Sequence, residues 1–308
     1  MPAGEAPRFR RRRIRHAFNR AAPGFSGSDF LYREMARRMG ERLDMVRITP
    51  QQILDAGCGL GADRSMLGQR YSEAQWLGID SSMAMLAQGG RADLAASGFI
   101  RRLFNQARHP RTMRAAADLS ALPVAAQSMD LIWSNAALHW LDDLPETFKE
   151  FNRALRIGGL LMFSLFGPDT LKELRQAAQA AAGSSARVDR TQTFVDMHDV
   201  GDMLVHGGFS DPVMDMETLT LTYADPWQAL HELKKMGSCV ATDWVARGLS
   251  TQGWWRRVMS HWPQDADGRY LLTFELVQGH AWKMAPKQHE DGRAVVNFMP
   301  RPDRPLRS

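Results

Sequence analysis

The chain predicts an α/β fold, a mostly parallel sheet with helices on both faces. Apolar stretches at 52–56, 75–80, 113–117, 129–134 and 159–166 alternate with helical periods, which is the pattern of parallel strands joined by crossover helices. The first stretch runs into the turn Gly57-Cys58-Gly59-Leu60-Gly61, and the second ends on a lone carboxylate, Asp80. Ligands in such sheets lie over the carboxyl ends of the strands, so turn and carboxylate should share one site.

From the N-terminus, residues 16–24 and the periodic stretch 30–43 predict helices, and 1–44 reads as a basic helical segment ahead of the first strand. The run Arg8 to Arg15 concentrates positive charge in a chain with 39 Lys and Arg against 34 Asp and Glu, a net +5. Such a run serves as a solvated tail, as a docking face for an acidic partner, or as a presequence or nucleic-acid arm. Only Phe9 and Phe18 interleave with it, which argues against stacking on RNA.

Gly57, Gly59 and Gly61 let the backbone turn sharply and approach a ligand where a side chain would collide. Asp80, an acceptor only, suits two ribose hydroxyls. Read as Gly57, Gly59 and Ala62, the turn also fits the dinucleotide pattern G-x-G-x-x-A. Asp55, two residues before the first glycine, would repel a pyrophosphate and accept from an ammonium group, which favours S-adenosylmethionine. Cys58, Ser81 and Met83 flank the turn and the carboxylate and are assigned to the same ligand. Asp118 with Leu119, ending the third strand, would meet the adenine amino group, the alternative being a turn cap. The stretch 89–114, with Arg101, Arg102, Arg108, Arg111 and Arg114, reads as a solvated helical insertion.

The fourth strand runs into Ser134-Asn135-Ala136-Ala137-Leu138-His139-Trp140, which should face a transferring methyl group. The Asn-Pro-Pro-Tyr type of motif that grips a planar amino group is not at this point, so N-methylation loses support. His139 is a candidate base or a donor to an acyl oxygen, with packing beside Trp140 as the alternative. Leu144 to Arg156 predicts an amphipathic helix closed by Gly158 and Gly159, with Arg153 and Arg156 complementing its dipole. Asp169 or Thr170 would cap the next helix. Another helix follows at 196–209, an outer strand at 211–223 and a last strand at 269–282. The Trp- and Met-rich stretch 225–262 is helical, a lid over the substrate or ordinary core.

The expected organisation is one domain over 45–283, with lid insertions near 167–195 and 225–262, and a disordered tail over 284–308. Cys58 and Cys239 provide neither a disulfide framework nor a metal cluster, so no metal is expected. The longest apolar run, Leu160 to Phe166, is short of a membrane span, and no apolar signal core follows the basic run. A soluble, cytoplasmic monomer is the expectation.

Over roughly 45–165 the chain resembles the class I S-adenosylmethionine-dependent methyltransferases. That likeness implies a Rossmann-like sheet of seven strands with the last antiparallel. Phe18-Asn19-Arg20-Ala21-Ala22, Ser134 to Trp140, Phe166-Gly167-Pro168-Asp169-Thr170-Leu171 and Gly279-His280-Ala281-Trp282 resemble the malonyl-acyl-carrier protein (malonyl-ACP) O-methyltransferases of biotin synthesis, over about 15–283. The family commonly has a tyrosine where this chain has Phe25, and a glutamine where His139 stands. The resemblance implies in-line attack of a malonyl carboxylate on a sulfonium methyl. Asn135, His139 and Trp140 would then stand at the reacting groups, and Phe25, Arg20 and Arg175 at the substrate. An acidic acyl-carrier protein would dock on Arg10 to Arg15. The segment after Phe166 also resembles a mitochondrial complex I assembly factor that hydroxylates arginine on a similar fold, and a SAM-binding scaffold contacting RNA or a protein partner is the non-enzyme alternative.

Overall fold

In a computed structural model, residues 8–96, 112–182, 194–237 and 252–285 of the protein are described. Strands β1 (Gln52–Ala56), β2 (Gln75–Asp80), β3 (Thr112–Ala116), β4 (Met129–Ser134), β5 (Leu155–Phe166), β6 (Ser210–Tyr223) and β7 (Tyr270–Trp282) form one sheet. Their order is β3-β2-β1-β4-β5-β7-β6. β7 is antiparallel to both neighbours, and the pairs among β1 to β5 are parallel. The order reverses between β1 and β4, so a crevice opens above their carboxyl ends.

Helices cover both faces because their apolar residues recur at helical spacing. On one face α2 (Phe30–Leu43) buries Ala36, Met39 and Leu43 against Ile53, Leu131, Trp133 and Leu160. Ahead of it run α1 (Arg8–Ala21) and a 3-10 turn (Ala22–Gly27). After β1 come α3 (Arg64–Arg70) and, after β2, α4 (Met83–Ala96). On the other face α5 (Leu144–Ala154) buries Phe148 and Phe151 against Ile132, Leu161 and Phe163, with Leu204 of α7 (Met197–His206) beside them. Asp143 caps α5 by accepting from Glu146 N at 2.9 Å.

The predicted helix through Arg156 stops at Ala154, because Leu155 already pairs with Met129 and opens β5. Arg156 then reaches Asp130 at 2.6 Å, while Arg153 does lie in the last turn of the helix and also binds Glu150 and the carbonyls of Leu122 and Val124. Nor is Arg114 solvated: it sits in β3, 5.1 Å over the Trp76 ring and paired with Asp93. The other arginines of that predicted insertion lie outside the described residues, as do Cys239, Trp244 and 286–308.

Helices α6 (Lys172–Ala182), α8 (Pro226–Lys235) and α9 (Gln252–His261) build a second core on β6 and β7. Met236, Trp254, Val258 and Trp262 pack there against Leu174, Ala177, Leu272 and Phe274. These residues of the 225–262 stretch are core, and Ala136 and Phe166 join the same cluster at the crevice. No helix among the described residues is long and apolar enough to cross a membrane.

Candidate active site

The turn after β1 is stitched to β2. Gly57 N and Cys58 N both donate to Ile79 O, at 2.8 and 3.0 Å, and Gly61 N donates to Cys58 O at 2.6 Å. Gly57 has φ +83°, and a Cβ there would stand 2.3 Å from the Ala137 Cβ. Gly59 has φ +50° and nothing within 4 Å of its would-be Cβ, so its bare side opens to a cavity.

Asp80 is held from behind. Its Oδ2 accepts from Gly59 N at 2.9 Å and its Oδ1 from Ser82 N at 2.7 Å. Burial pushes its pKa up, and these backbone donors oppose the rise. With three backbone donors on it, the carboxylate still keeps acceptor capacity for a ligand hydroxyl. Ser82 Oγ donates to Asn19 Oδ1 at 2.7 Å, which ties α1 to the site. Asp118 shows the turn-cap alternative: Oδ1 accepts from Ser120 N and Oγ, while Oδ2 pairs with Arg11 of α1 at 2.7 Å.

Asp55 is 2% exposed, and its Oδ2 has no hydrogen-bond partner among the described residues. Burial pushes its carboxyl well above the usual range, with Asp63 and Asp80 adding to the rise and Arg114 opposing it. A buried acceptor of this kind fits an ammonium group, as S-adenosylmethionine would bring, and the glycine turn beside it leaves the backbone bare for close approach.

These groups line one cavity of about 640 Å³, within the usual size range of small-molecule sites. It brings together Asp55, Gly57, Cys58, Gly59, Asp80, Ser81, Met83, Asp118, Leu119, Asn135, Trp140 and Phe25. Asn135 is fixed on three sides: Nδ2 donates to Tyr32 O at 2.9 Å, Oδ1 accepts from Ser164 Oγ at 2.7 Å, and the side chain also meets Asp63. Ala136, next to it, has φ +49°, a strained backbone of the kind that gathers at functional sites. Trp140 stands edge-on to Phe18 with centroids 5.5 Å apart, and Phe25 stacks on Tyr32 at 5.3 Å.

Five predicted site residues stand outside the lining. Gly61, at φ +78°, turns its bare side to the Arg114 guanidinium, 2.6 Å from a would-be Cβ. Ser134 is fully buried and donates to Ala56 O at 2.8 Å, so it ties β4 to β1. His139 packs among Trp140, Phe166 and Phe194, and burial lowers its pKa to about 3; it is a neutral packing residue. Arg20 is exposed at the end of α1. Arg175 binds the carbonyls of Pro168 and Thr170 and so braces the turn before α6.

The cavity also takes in residues that the sequence did not single out. Asp63 accepts from Trp133 Nε1 at 2.8 Å, and burial raises its pKa. Tyr32 and Arg33 enter from α2, for which the only sequence signal was the helical period of that stretch. From α1 come Ile14 and, from the basic run that the sequence did mark, Arg11, Arg12 and Arg15.

Residues 54–163 match a family model described as a methyltransferase domain. The chain is 43% identical to a malonyl-ACP O-methyltransferase of Gallionella capsiferriformans, covering 92% of this chain and 94% of that one. It is 42% identical to the protein of that name from Methylovorus sp., covering 94% and 95%. In fold it is similar to the YcgJ protein of Bacillus subtilis (TM-score 0.55, 12% identity, 80% of this chain and 98% of that one). A similar match is to a Bacillus halodurans protein described as a putative methyltransferase (TM-score 0.54, 13% identity, 80% and 99%). The chain belongs to the malonyl-ACP O-methyltransferase family of S-adenosylmethionine-dependent class I methyltransferases.

Proposed function

We propose that the protein methylates the free carboxylate of malonyl-ACP, the step that opens pimeloyl synthesis for biotin. The observation that carries the reading is the near full-length match to relatives of that name, on a chain whose cavity has acceptors suited to the methyl donor. Bound S-adenosylmethionine would supply an electrophilic methyl group to the malonyl carboxylate.

The chain's residues supply position and dryness. Asp80 offers its remaining acceptor capacity to the ribose, Asp118 lies at the adenine end, and Asp55 accepts from the amino group. Asn135, held by Ser164 and Tyr32, braces the loop where the methyl would be presented. Phe18, Phe25 and Trp140 wall that end and exclude water. A carboxylate is already ionised at neutral pH, so the nucleophile requires no base, in keeping with His139 lying outside the cavity.

Arg12 and Arg15 stand exposed on α1 at the cavity's rim and face an acidic carrier. Charge attraction there speeds docking and weakens with salt. We read the active unit as a monomer. We place it in the cytoplasm, in keeping with the free thiol of Cys58.

The test in cells is growth without biotin of a bacterium lacking its own malonyl-ACP methyltransferase. The chain should restore growth and Asp80→Ala should not. A folded, S-adenosylmethionine-binding wild type that fails to restore growth rejects the reading.

A further inference from the structure

The function proposed above, on which this inference rests for one of its two outcomes, leaves two carboxylates to be held: that of the methyl donor's methionine end and that of the malonyl group. Each calls for a cation, best a guanidinium with two parallel donors. Arg20 and Arg175 stand elsewhere, as described. Among the described residues the cavity's arginines are Arg11, Arg12, Arg15 and Arg33. Arg11 is taken up by Asp118 at the adenine end, and Arg12 and Arg15 lie on the exposed side of α1.

Arg33 differs in how it is held. It lies in the first turn of α2, whose backbone is fixed at the carboxyl end of β4 by the bond from Asn135 Nδ2 to Tyr32 O, at 2.9 Å. Asp29, four residues earlier, pairs with its Nη2 at 2.8 Å. The two partners are unlike: the Asp29 side chain is 9% exposed and that of Arg33 is 62% exposed. A buried carboxylate thus props one edge of the guanidinium and leaves its other donors unused by this pair, on a side chain that lines the cavity and stays largely exposed. Asp63, close enough to Asp29 for the two carboxylates to repel, and Asp55 line the same cavity, so it holds both the cation and the anions that an amino acid's two charges require.

We infer that Arg33, propped by Asp29, is the carboxylate receptor of this cavity. The carboxylate comes from the donor's methionine end or from the malonyl group, and two measurements separate these sources. The first is calorimetric binding of S-adenosylhomocysteine and of decarboxylated S-adenosylmethionine, which keeps the amine and lacks the carboxylate. The second is KM for malonyl-ACP. Variants are Arg33→Ala, Arg33→Lys and Asp29→Asn, each checked for a wild-type melting temperature.

If the donor supplies the carboxylate, Arg33→Ala weakens S-adenosylhomocysteine about tenfold or more and leaves the decarboxylated compound unchanged. If malonyl supplies it, both nucleosides bind as before and KM rises by a similar factor. Arg33→Lys recovers some of either effect, and Asp29→Asn moves the same quantity by less. The inference is overturned if a folded Arg33→Ala leaves all three values unchanged, or weakens both nucleosides alike. Should the wild type not methylate malonyl-ACP, the function proposed above fails, and the paired nucleoside affinities alone decide for or against Arg33.

Discussion

Alanine at Gly57 and alanine at Gly59 should separate the two jobs that the turn combines, folding and ligand approach. Both glycines hold positive φ, +83° and +50°, and a Cβ in that region costs about 1–2 kcal/mol. At Gly59 the cost ends there, because nothing lies within 4 Å. At Gly57 the new Cβ meets the Ala137 Cβ at 2.3 Å, far inside van der Waals contact, and relieving it adds about 1–3 kcal/mol. Gly57→Ala should therefore lower Tm by about 5–15 °C and Gly59→Ala by about 2–6 °C. Calorimetry should then find Gly59→Ala, though folded, about tenfold or more weaker for S-adenosylhomocysteine, since its methyl enters the ligand's space. Differential scanning fluorimetry supplies the Tm values. Wild-type affinity in Gly59→Ala would refute the placing of the ligand on this turn, and equal stability of the two variants would refute the clash at Gly57.

Asp80→Asn sets an NH₂ group against a backbone donor, so it should cost about 1–3 kcal/mol by urea denaturation and weaken S-adenosylmethionine about 10–100-fold by calorimetry. His139 has its pKa lowered from 6.5 to about 3 by burial, so the unfolded chain binds the extra proton. Its contribution is present above pH 6.5 and is lost as pH falls toward 3, about 3 kcal/mol by pH 4. His139→Gln should therefore lose less Tm than the wild type between pH 6.5 and 4, and kcat should show no step from this residue between pH 6 and 8. The pair Arg12→Glu and Arg15→Glu should raise KM for the carrier about tenfold at low salt, less at high salt, and leave the nucleoside affinity unchanged; an unchanged KM at low salt counts against docking on α1.

The strands were legible because apolar runs bounded by turn residues need no distant information: β1, β2 and β4 lie where the sequence predicts them. So were the glycine turn and Asp80, whose spacing is local to one strand-turn-helix unit. What could not be read is convergence. Asp63, Arg33 and Asn135 are distant in sequence and meet only because α2 docks over β1 and β4. Burial was also hidden, which is why His139, open to reading as a base beside Trp140, proves to be core. Arg175 looked free for a ligand because nothing in a linear string shows that its guanidinium folds back onto the carbonyls of Pro168 and Thr170.

The most direct test of carboxyl methyl transfer is incubation of the purified protein with methyl-labelled S-adenosylmethionine and either malonyl-ACP or acetyl-ACP, followed by mild base. Base-labile label on malonyl-ACP alone, lost in Asp80→Ala, is the predicted result. Tight binding of S-adenosylmethionine with no label on malonyl-ACP, or equal label on acetyl-ACP, would contradict it.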